Sequence, residues 1–498
     1  MTKNEIRVQY SGFVIFVAKI LSVATGLAFQ YMIARSTTPL EYGIWFNIND
    51  VLAYFTILAG ILPFWTMRFV ARAEKGAVKT GVIANLVVST AAIIIYLQLT
   101  PFIVTALGVQ NYVSLYMLVS IQIVELYLLN AFEACLRTKK PQTLGYGLLI
   151  SEICKVLLGY ILIIKFQKPL EGAIISLTIA VAVQLIFYLK LLAGDFRESA
   201  NWAYVKEWLK GSVVNIYNVI GNQIASLIFI MLFSFGGEAA RGNYGAAAQI
   251  AGIITYSTSL AFALYPKLLA EKSGQDITAS IKTVLMFAIP MTVGAITVPD
   301  LFLSILKKEY TQARNILVVL SIDAFIATIS TFFTFVLYGF ERVDEKAKIS
   351  FKELFRSRLF LSFSLSYFHS AITIPSTYFI LTTYARGDPV LSAFSVAVIN
   401  STARFIMFLV LYIMVRGMVR VVIPWRNIAR YVFASLIMGG LIYWLNLKLQ
   451  LTRVHQILGL TAFAGAFYLG LLMIIDEDTR TLAKLAWREV KGLLGQAA

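Results

Sequence analysis

Fourteen long apolar segments, separated by loops that alternate between rich and poor in Lys and Arg, run almost end to end through this chain of 498 residues. A helix needs about 20 residues to cross a hydrocarbon core of roughly 30 Å. The segments meet that length at 10–34, 43–67, 78–100, 112–135, 143–165, 170–192, 212–235, 246–267, 280–303, 314–340, 358–383, 390–415, 429–447 and 456–475. Backbone polar groups in lipid must be satisfied within the spanning element, so runs this long and continuous predict helices rather than barrel strands. The expected fold is all-α: a polytopic transmembrane bundle of about 14 helices with no soluble domain. The residues are 59% hydrophobic and 14% charged, against roughly 45–50% and 25% in an ordinary globular chain. No cleavable signal is expected, because the first span is too long and Arg35 follows it instead of a small-residue cleavage site.

Loop charge sets the expected orientation. With the N-terminus placed in the cytoplasm, that side collects 30 of the 43 Lys and Arg residues, among them Arg68, Arg72, Lys139, Lys206, Arg342, Arg416 and Arg480. The opposite side holds ten, including Arg35, Lys165, Arg241, Arg314, Arg386 and Arg453. The bias puts both termini in the cytoplasm of a cell-membrane protein and requires an even helix count. It also explains the net charge of +17 as attraction to anionic inner-leaflet lipid. No basic domain is present to bind nucleic acid.

Scarcity excludes several chemistries. Cys135 and Cys154 have no CxxC spacing, so neither a disulfide nor a thiolate metal site is expected. His369 and His455 are the only imidazoles, too few for a His-based metal site or a Ser-His hydrolase. No P-loop or GxGxxG precedes a helix. No metal or cofactor is expected, beyond coupling to Na⁺ or H⁺.

The organisation reads as an N-lobe of helices 1–6 (residues 1–193), a cytoplasmic interfacial linker helix (194–211), a C-lobe of helices 7–12 (212–416), and helices 13–14 with an amphipathic tail (417–498). In the linker, Trp202, Val205, Trp208 and Leu209 recur at helical spacing against Lys206, Glu207 and Lys210, the pattern of a helix lying in the membrane interface. In the tail, Leu482, Leu485, Val490 and Leu493 do the same. The lobes carry an internal echo. Helices 1 and 2 are joined by a short loop ending in Tyr42-Gly43, helices 7 and 8 by one ending in Tyr244-Gly245. Asn47 and Tyr54 then correspond to Gln249 and Tyr256 at equal offsets. Parallel repeats of this kind are a transporter architecture with a site between the lobes.

The stretch IARSTTPLEYGIW, with Ala34, Arg35, Pro39, Tyr42 and Gly43 at the matching places, resembles the end of helix 1 in Wzx-type polysaccharide and oligosaccharide-lipid flippases of the multidrug/oligosaccharidyl-lipid/polysaccharide (MOP) superfamily. The arrangement of six, six and two helices is similar too. The resemblance implies flipping of a polyprenyl-(di)phosphate-linked oligosaccharide from the cytoplasmic to the outer leaflet by alternating access, for cell-surface polysaccharide or glycan synthesis. It implies no enzyme activity. It implies membrane lipids and glycosyltransferases or a polymerase of the same pathway as partners, and a monomer. Flippases of the peptidoglycan lipid precursor place several arginines in the first lobe's cavity, whereas helix 2 here has no basic residue. Independently of the family, Pro39 and Gly43 bracket a tight outer turn, with Gly43 expected to let helices 1 and 2 approach closely.

The charges inside the spans carry the mechanistic expectation, because each costs a few kcal/mol in hydrocarbon and should face a cavity or one another. Lys19 lies about 13 Å from the inner end of helix 1, and Arg404 about 20 Å from the outer end of helix 12. A cavity that takes a phosphate head group needs a cation, and Lys19, then Arg404, then Lys155 are the candidates for substrate binding. Lys19 can also pair with a carboxylate or snorkel. Glu152 and Lys155 are three apart on helix 5, which predicts a self-neutralising pair. Asp50, Glu125 and Asp323 have no obvious local partner. Asp50 is close enough to the outer face to be hydrated, while Glu125 and Asp323 lie deeper. With Glu152 and His369 they are the candidates for ion coupling. Pro290, Pro299 and Pro375 are expected to interrupt helices 9 and 11, with Pro63 and Pro266 near the inner ends of helices 2 and 8. Two alternatives stand beside the flippase. A cation-coupled drug or metabolite antiporter of the same superfamily would carry an acidic residue in helix 1 or 7, and neither has one. A membrane glycosyltransferase or ligase would show a large outer loop with clustered Asp, Glu, His or Arg, and every outer loop is short.

Overall fold

The computed structural model describes residues 8–261, 274–340, 357–419 and 421–480. Pro266 and the predicted tail helix of Leu482 to Leu493 lie outside the described residues. Every described element is helical, in the order α1 (Val8–Ser36), α2 (Pro39–Phe55), α3 (Ile61–Ala71), α4 (Ala77–Ala106), α5 (Val113–Val119), α6 (Ile121–Lys139), α7 (Gln142–Gly159), α8 (Pro169–Leu192), α9 (Trp202–Gly211), α10 (Val213–Ala225), α11 (Leu227–Gly236), α12 (Glu238–Thr255), α13 (Gly274–Thr297), α14 (Pro299–Leu306), α15 (Arg314–Phe340), α16 (Arg358–Thr382), α17 (Pro389–Arg416), α18 (Trp425–Leu449) and α19 (Val454–Ile475). Ten stretches among them are long and apolar enough to cross a membrane. The chain forms two compact units, residues 1–242 with 374–392, and residues 243–373 with 393–498.

Several predicted spans are continuous, as expected; others are broken in two. The span expected at 43–67 starts earlier, at Pro39, and splits at Thr56–Gly60 into α2 and α3. Thr38 caps α2, its side chain accepting from Glu41 N while Glu41 bonds back to Thr38 N, with Pro39 at the first helical position; that is a capping box with a proline where no N–H is needed. Pro63 sits in the first turn of α3, where its missing N–H leaves no bond unmade. The span at 212–235 splits at Ser226 into α10 and α11. Pro290 and Pro375 lie inside unbroken helices, contrary to expectation, whereas Pro299 begins α14 after a break at Val298. Helix α12 ends in a 3₁₀ segment at Tyr256–Ala261. The two repeat-related helices thus lose α geometry at nearly the same offset: just after Tyr54 in one, and at Tyr256, its counterpart, in the other.

In the first unit, α3, α4, α6 and α8 enclose a core of Val70, Val82, Phe132, Leu136 and Tyr188. The 194–211 segment is strapped onto it. Glu198 accepts a hydrogen bond from Gly76 N, Asn201 N donates to Thr80 Oγ1 (2.8 Å), and Lys139 pairs with Asp195. Gly76 has φ +74°, and any Cβ there would lie 2.0 Å from Ser199 O, so the strap fits only on glycine. Trp208 is fully buried against Leu62 and Ala84, its ring edge-on to Phe69. Trp202 and Leu209 of the same helix remain about half exposed. The apolar face expected to lie in lipid is therefore divided, with its centre packed on protein.

The second unit is built on α13, α15, α17, α18 and α19 around Leu285, Phe333, Met438, Leu460 and Tyr468. Without a hydrophobic drive between helices in lipid, close packing of small residues and polar ties hold such a bundle. One tie is a buried carboxylate. Asp476, 0% exposed, accepts from Arg430 Nη1 (2.8 Å), Asn427 Nδ2 (2.9 Å), Thr479 Oγ1 (2.7 Å) and Thr479 N (3.1 Å). Lys282 of α13 joins through Asp478 at 2.6 Å.

Candidate functional site

Helix α2 presents Asn47, Asp50 and Tyr54 at intervals of three and four residues, one stripe of a 3.6-residue repeat. The stripe receives Arg241 from the first turn of α12. Its Nε donates to Asp50 Oδ2 at 2.6 Å and its Nη2 to Asp50 Oδ1 at 2.9 Å. The guanidinium also lies against two rings, Phe46 at 4.7 Å and Phe229 at 5.0 Å from the centroids. Asp50 has no partner on its own helix, as expected, but it is ion-paired and largely shielded rather than simply hydrated, and Arg241 belongs to α12 rather than to a loop. Arg241 reaches the stripe because α12 begins at Glu238, eight residues before the expected span. Gly237 with φ +88° and the acidic Glu238 behind it signal that start.

Gly43 makes this possible, though not in the way expected. A Cβ at Gly43 would lie 1.9 Å from Glu238 O, and one at Gly242 would lie 2.1 Å from Pro39 O. The close approach is therefore between α2 and α12, backbone on backbone, and not with α1. Tyr42 provides the link to α1, donating to Gln30 Oε1 at 3.0 Å. Arg35 is exposed, its guanidinium 5.1 Å from the Tyr31 ring. Around the stripe, Tyr116 donates to Asn47 Oδ1 and Tyr54 donates to Gln223 O (3.2 Å). Asn47 Nδ2 and Gln223 Nε2 are buried without a hydrogen-bond partner among the described residues.

A second cluster joins α1 to α7. Lys155 Nζ lies 2.6 Å from Glu152 Oε2, as the three-residue spacing predicts, and 5.7 Å from the Phe29 ring. Thr25 of α1 donates to the same Glu152 oxygen. Lys19 is exposed and near enough to Glu133 for their charges to interact. Glu125 is 6% exposed, and its Oε2 has no partner among the described residues.

The second unit has its own intramembrane cluster. Arg404 Nε of α17 donates to Asp323 Oδ1 of α15 at 2.8 Å, giving Asp323 the partner its own helix lacks. Ser401, one turn before Arg404, stands beside the carboxylate, and His369 of α16 is flanked by Asn400 and Arg404. The structure thus brings together Asp323, His369 and Arg404 of the expected residues. In the sequence Arg241 reads only as an outer-side cation and Asn47 only as a repeat position, while Gln223, Asn400, Ser401 and Thr373 give no signal, because uncharged polar residues in apolar runs show none until their neighbours are known. Among the described residues no group of three His, Cys, Asp or Glu could hold a metal ion.

No protein-family model matches the chain, and neither does any curated protein sequence. Solved structures do. The lipid II flippase MurJ in an inward-closed conformation superposes with a TM-score of 0.67 at 14% identity, over 94% of this chain and 99% of that one. An inward-facing multidrug resistance MATE family transporter of the MOP superfamily gives 0.57 at 15% identity, over 80% of this chain and 95% of its own. A MOP superfamily transporter from Pyrococcus furiosus gives 0.54 at 13% identity, over 82% and 95%. The chain has the fold of the MOP superfamily transporters.

Proposed function

We propose that this protein flips a polyprenyl-(di)phosphate-linked oligosaccharide from the cytoplasmic to the outer leaflet by alternating access, with both termini in the cytoplasm, for cell-surface polysaccharide or glycan assembly. The observation that carries the reading is the whole-length likeness to a lipid II flippase, 94% of one chain and 99% of the other. The named neighbours are transporters and a flippase, which supports a transport role rather than catalysis. Within the spans, Lys19 beside Glu133 and Arg404, which Asp323 holds through Nε, are the cations that would meet a phosphate, while Lys155 is neutralised by Glu152 on its own helix. Arg241 is likewise committed to Asp50. A buried Glu125 with an unpartnered oxygen, and the Asp323 and His369 pair of groups, are the places where H⁺ or Na⁺ would couple to transport. Glycosyltransferases or a polymerase would act on either side of the flip, and the transporter works as a monomer.

A drug or metabolite antiporter is the second reading, favoured by the likeness to a MATE transporter but over only 80% of this chain. Liposomes containing the purified protein and a fluorescent polyprenyl-diphosphate glycan separate the two. Transfer of the glycan to the protected leaflet supports the flippase. Failure to transfer it under any ion gradient, alongside drug uptake by the same vesicles, would establish the antiporter.

A further inference from the structure

Two arginines sit inside the helical bundle, and they are held in opposite ways. Arg241 spends two nitrogens on Asp50, is 6% exposed, and is covered by two aromatic rings. Arg404 bonds Asp323 through Nε alone and has 39% of its side chain exposed. Among the described residues its terminal nitrogens Nη1 and Nη2 have no hydrogen-bond partner. Asp323 holds the guanidinium by its near edge, leaving the outer fork open. That fork is planar and matches the oxygen spacing of a phosphate.

The neighbours of Arg404 are also short of partners. Ser401, three residues earlier on α17, sets its Oγ beside the Asp323 carboxylate without completing a hydrogen bond, and His369 on α16, held by Asn400, keeps an unbonded Nδ1. Thr373, four residues after His369 and hence on the same face of α16, is 0% exposed with an unbonded Oγ1. Buried polar atoms are nearly always satisfied, so a cluster that is not needs an explanation. Ser401 Oγ beside Asp323 and His369 Nδ1 near Arg404, with Thr373 Oγ1 one turn further along α16, are polar atoms short of partners in the neighbourhood of an open guanidinium fork.

We infer that Arg404, Ser401, Thr373 and His369 form a binding site in the second unit for a phosphate-class oxyanion, with Asp323 as the residue that orients the guanidinium. The inference rests on the proposed flippase reading for the identity of the anion as a lipid-borne phosphate, and names the residues that would receive it. Free inorganic phosphate offers the same chemistry, so the two sources must be separated by experiment.

The test uses the full chain in lipid nanodiscs, with inorganic pyrophosphate in the buffer in one arm and a polyprenyl phosphate in the disc lipid in the other. Binding is read from the ³¹P resonance of each probe. The wild-type protein is expected to shift or broaden the lipid-borne signal, and Arg404→Gln to weaken that binding by about tenfold or more. Because Arg404→Gln strands the Asp323 carboxylate, Thr373→Val and Ser401→Ala repeat the test without removing a charge. Each is expected to weaken binding roughly threefold to tenfold with an unchanged unfolding temperature. A response to pyrophosphate that Arg404→Gln abolishes supports the site and assigns it to free phosphate. Equal binding by wild type and all three variants, or no response to either probe, overturns it. Flipping measured in parallel keeps the two readings apart. A wild type that flips the glycan equally well with Arg404→Gln retains the function and loses the site, whereas one that binds phosphate through Arg404 and flips nothing does the reverse.

Discussion

Arg241 and Asp50 form a two-pronged ion pair at 2.6 and 2.9 Å, joining helices whose sequence positions are 191 residues apart. Both side chains are largely shielded, at 6% and 16% exposure. A buried pair adds little net stability, but removing one partner leaves a bare charge, at a cost of about 3–5 kcal/mol. Arg241→Gln and Asp50→Asn are each expected to fall in that range, measured by denaturant unfolding in detergent. The Asp50→Leu, Arg241→Met double variant should recover most of the loss. Single variants as stable as the wild type would show that water reaches the pair.

The ion pair depends on two glycines, Gly43 two turns before Asp50 on α2 and Gly242 next to Arg241 on α12. Helices α2 and α12 meet backbone to backbone at Gly43 and Gly242, where an added methyl would fall 1.9 and 2.1 Å from a carbonyl oxygen. A backbone oxygen cannot rotate aside as a side chain can. Gly43→Ala and Gly242→Ala should therefore cost more than about 2 kcal/mol each, seen as lost monodisperse yield and a lower unfolding temperature. Gly252→Ala, with nothing within 4 Å of its Cβ position, is the matched control.

Hydropathy made the bundle legible because apolar length is a one-dimensional property: Arg314–Phe340 coincides with the expected span residue for residue. The breaks were harder. Gly60 and Pro63 are the local signs of the interruption between α2 and α3, yet the apolar run continues across them. The pairings were least legible of all. Glu152 and Lys155 could be matched because a helix brings them together within one turn. Asp50 with Arg241, and Asp323 with Arg404, are joined only by the fold, over 191 and 81 residues.

Two tryptophans on α9 offer an internal comparison. Trp208 is 0% exposed beneath Phe69, Leu62 and Ala84, while Trp202 is 54% exposed. Trp208→Ala should destabilise by about 3–5 kcal/mol through the cavity it leaves, and should open the 194–211 strap to protease. Trp202→Ala should do neither. Equal protease resistance in both variants would mean that Glu198, Asn201 and Asp195 hold the strap without the ring.

Asp478 lies beyond the last spanning helix, and its hydrogen bond from Lys282 holds its carboxyl below the ordinary value of 3.8, with burial opposing. A depressed carboxylate pKa stabilises the fold above the unfolded value and loses that contribution as pH falls through the folded one. The tie between α13 and the end of α19 should hold from neutral pH down to about 4 and weaken below it. Unfolding temperatures of wild type and Asp478→Asn should converge across that lower window. Because Asp478 is half exposed, the difference should be small; parallel curves would show that the Lys282–Asp478 pair carries none of the tie.

Glu152 and Lys155 test whether a buried pair inside the first unit serves structure or transport. Their side chains are 13% and 10% exposed, and Thr25 donates to the carboxylate that Lys155 already neutralises. Lys155→Met alone strands Glu152, and Glu152→Gln alone strands Lys155, each at about 3 kcal/mol or more. The double variant strands neither, so its stability should return toward that of the wild type. If the pair is structural, flipping of the lipid-linked glycan should return with it. A stable double variant that no longer flips would instead give the pair a part in transport, with Lys155 as a phosphate contact or Glu152 as an ion-coupling carboxylate.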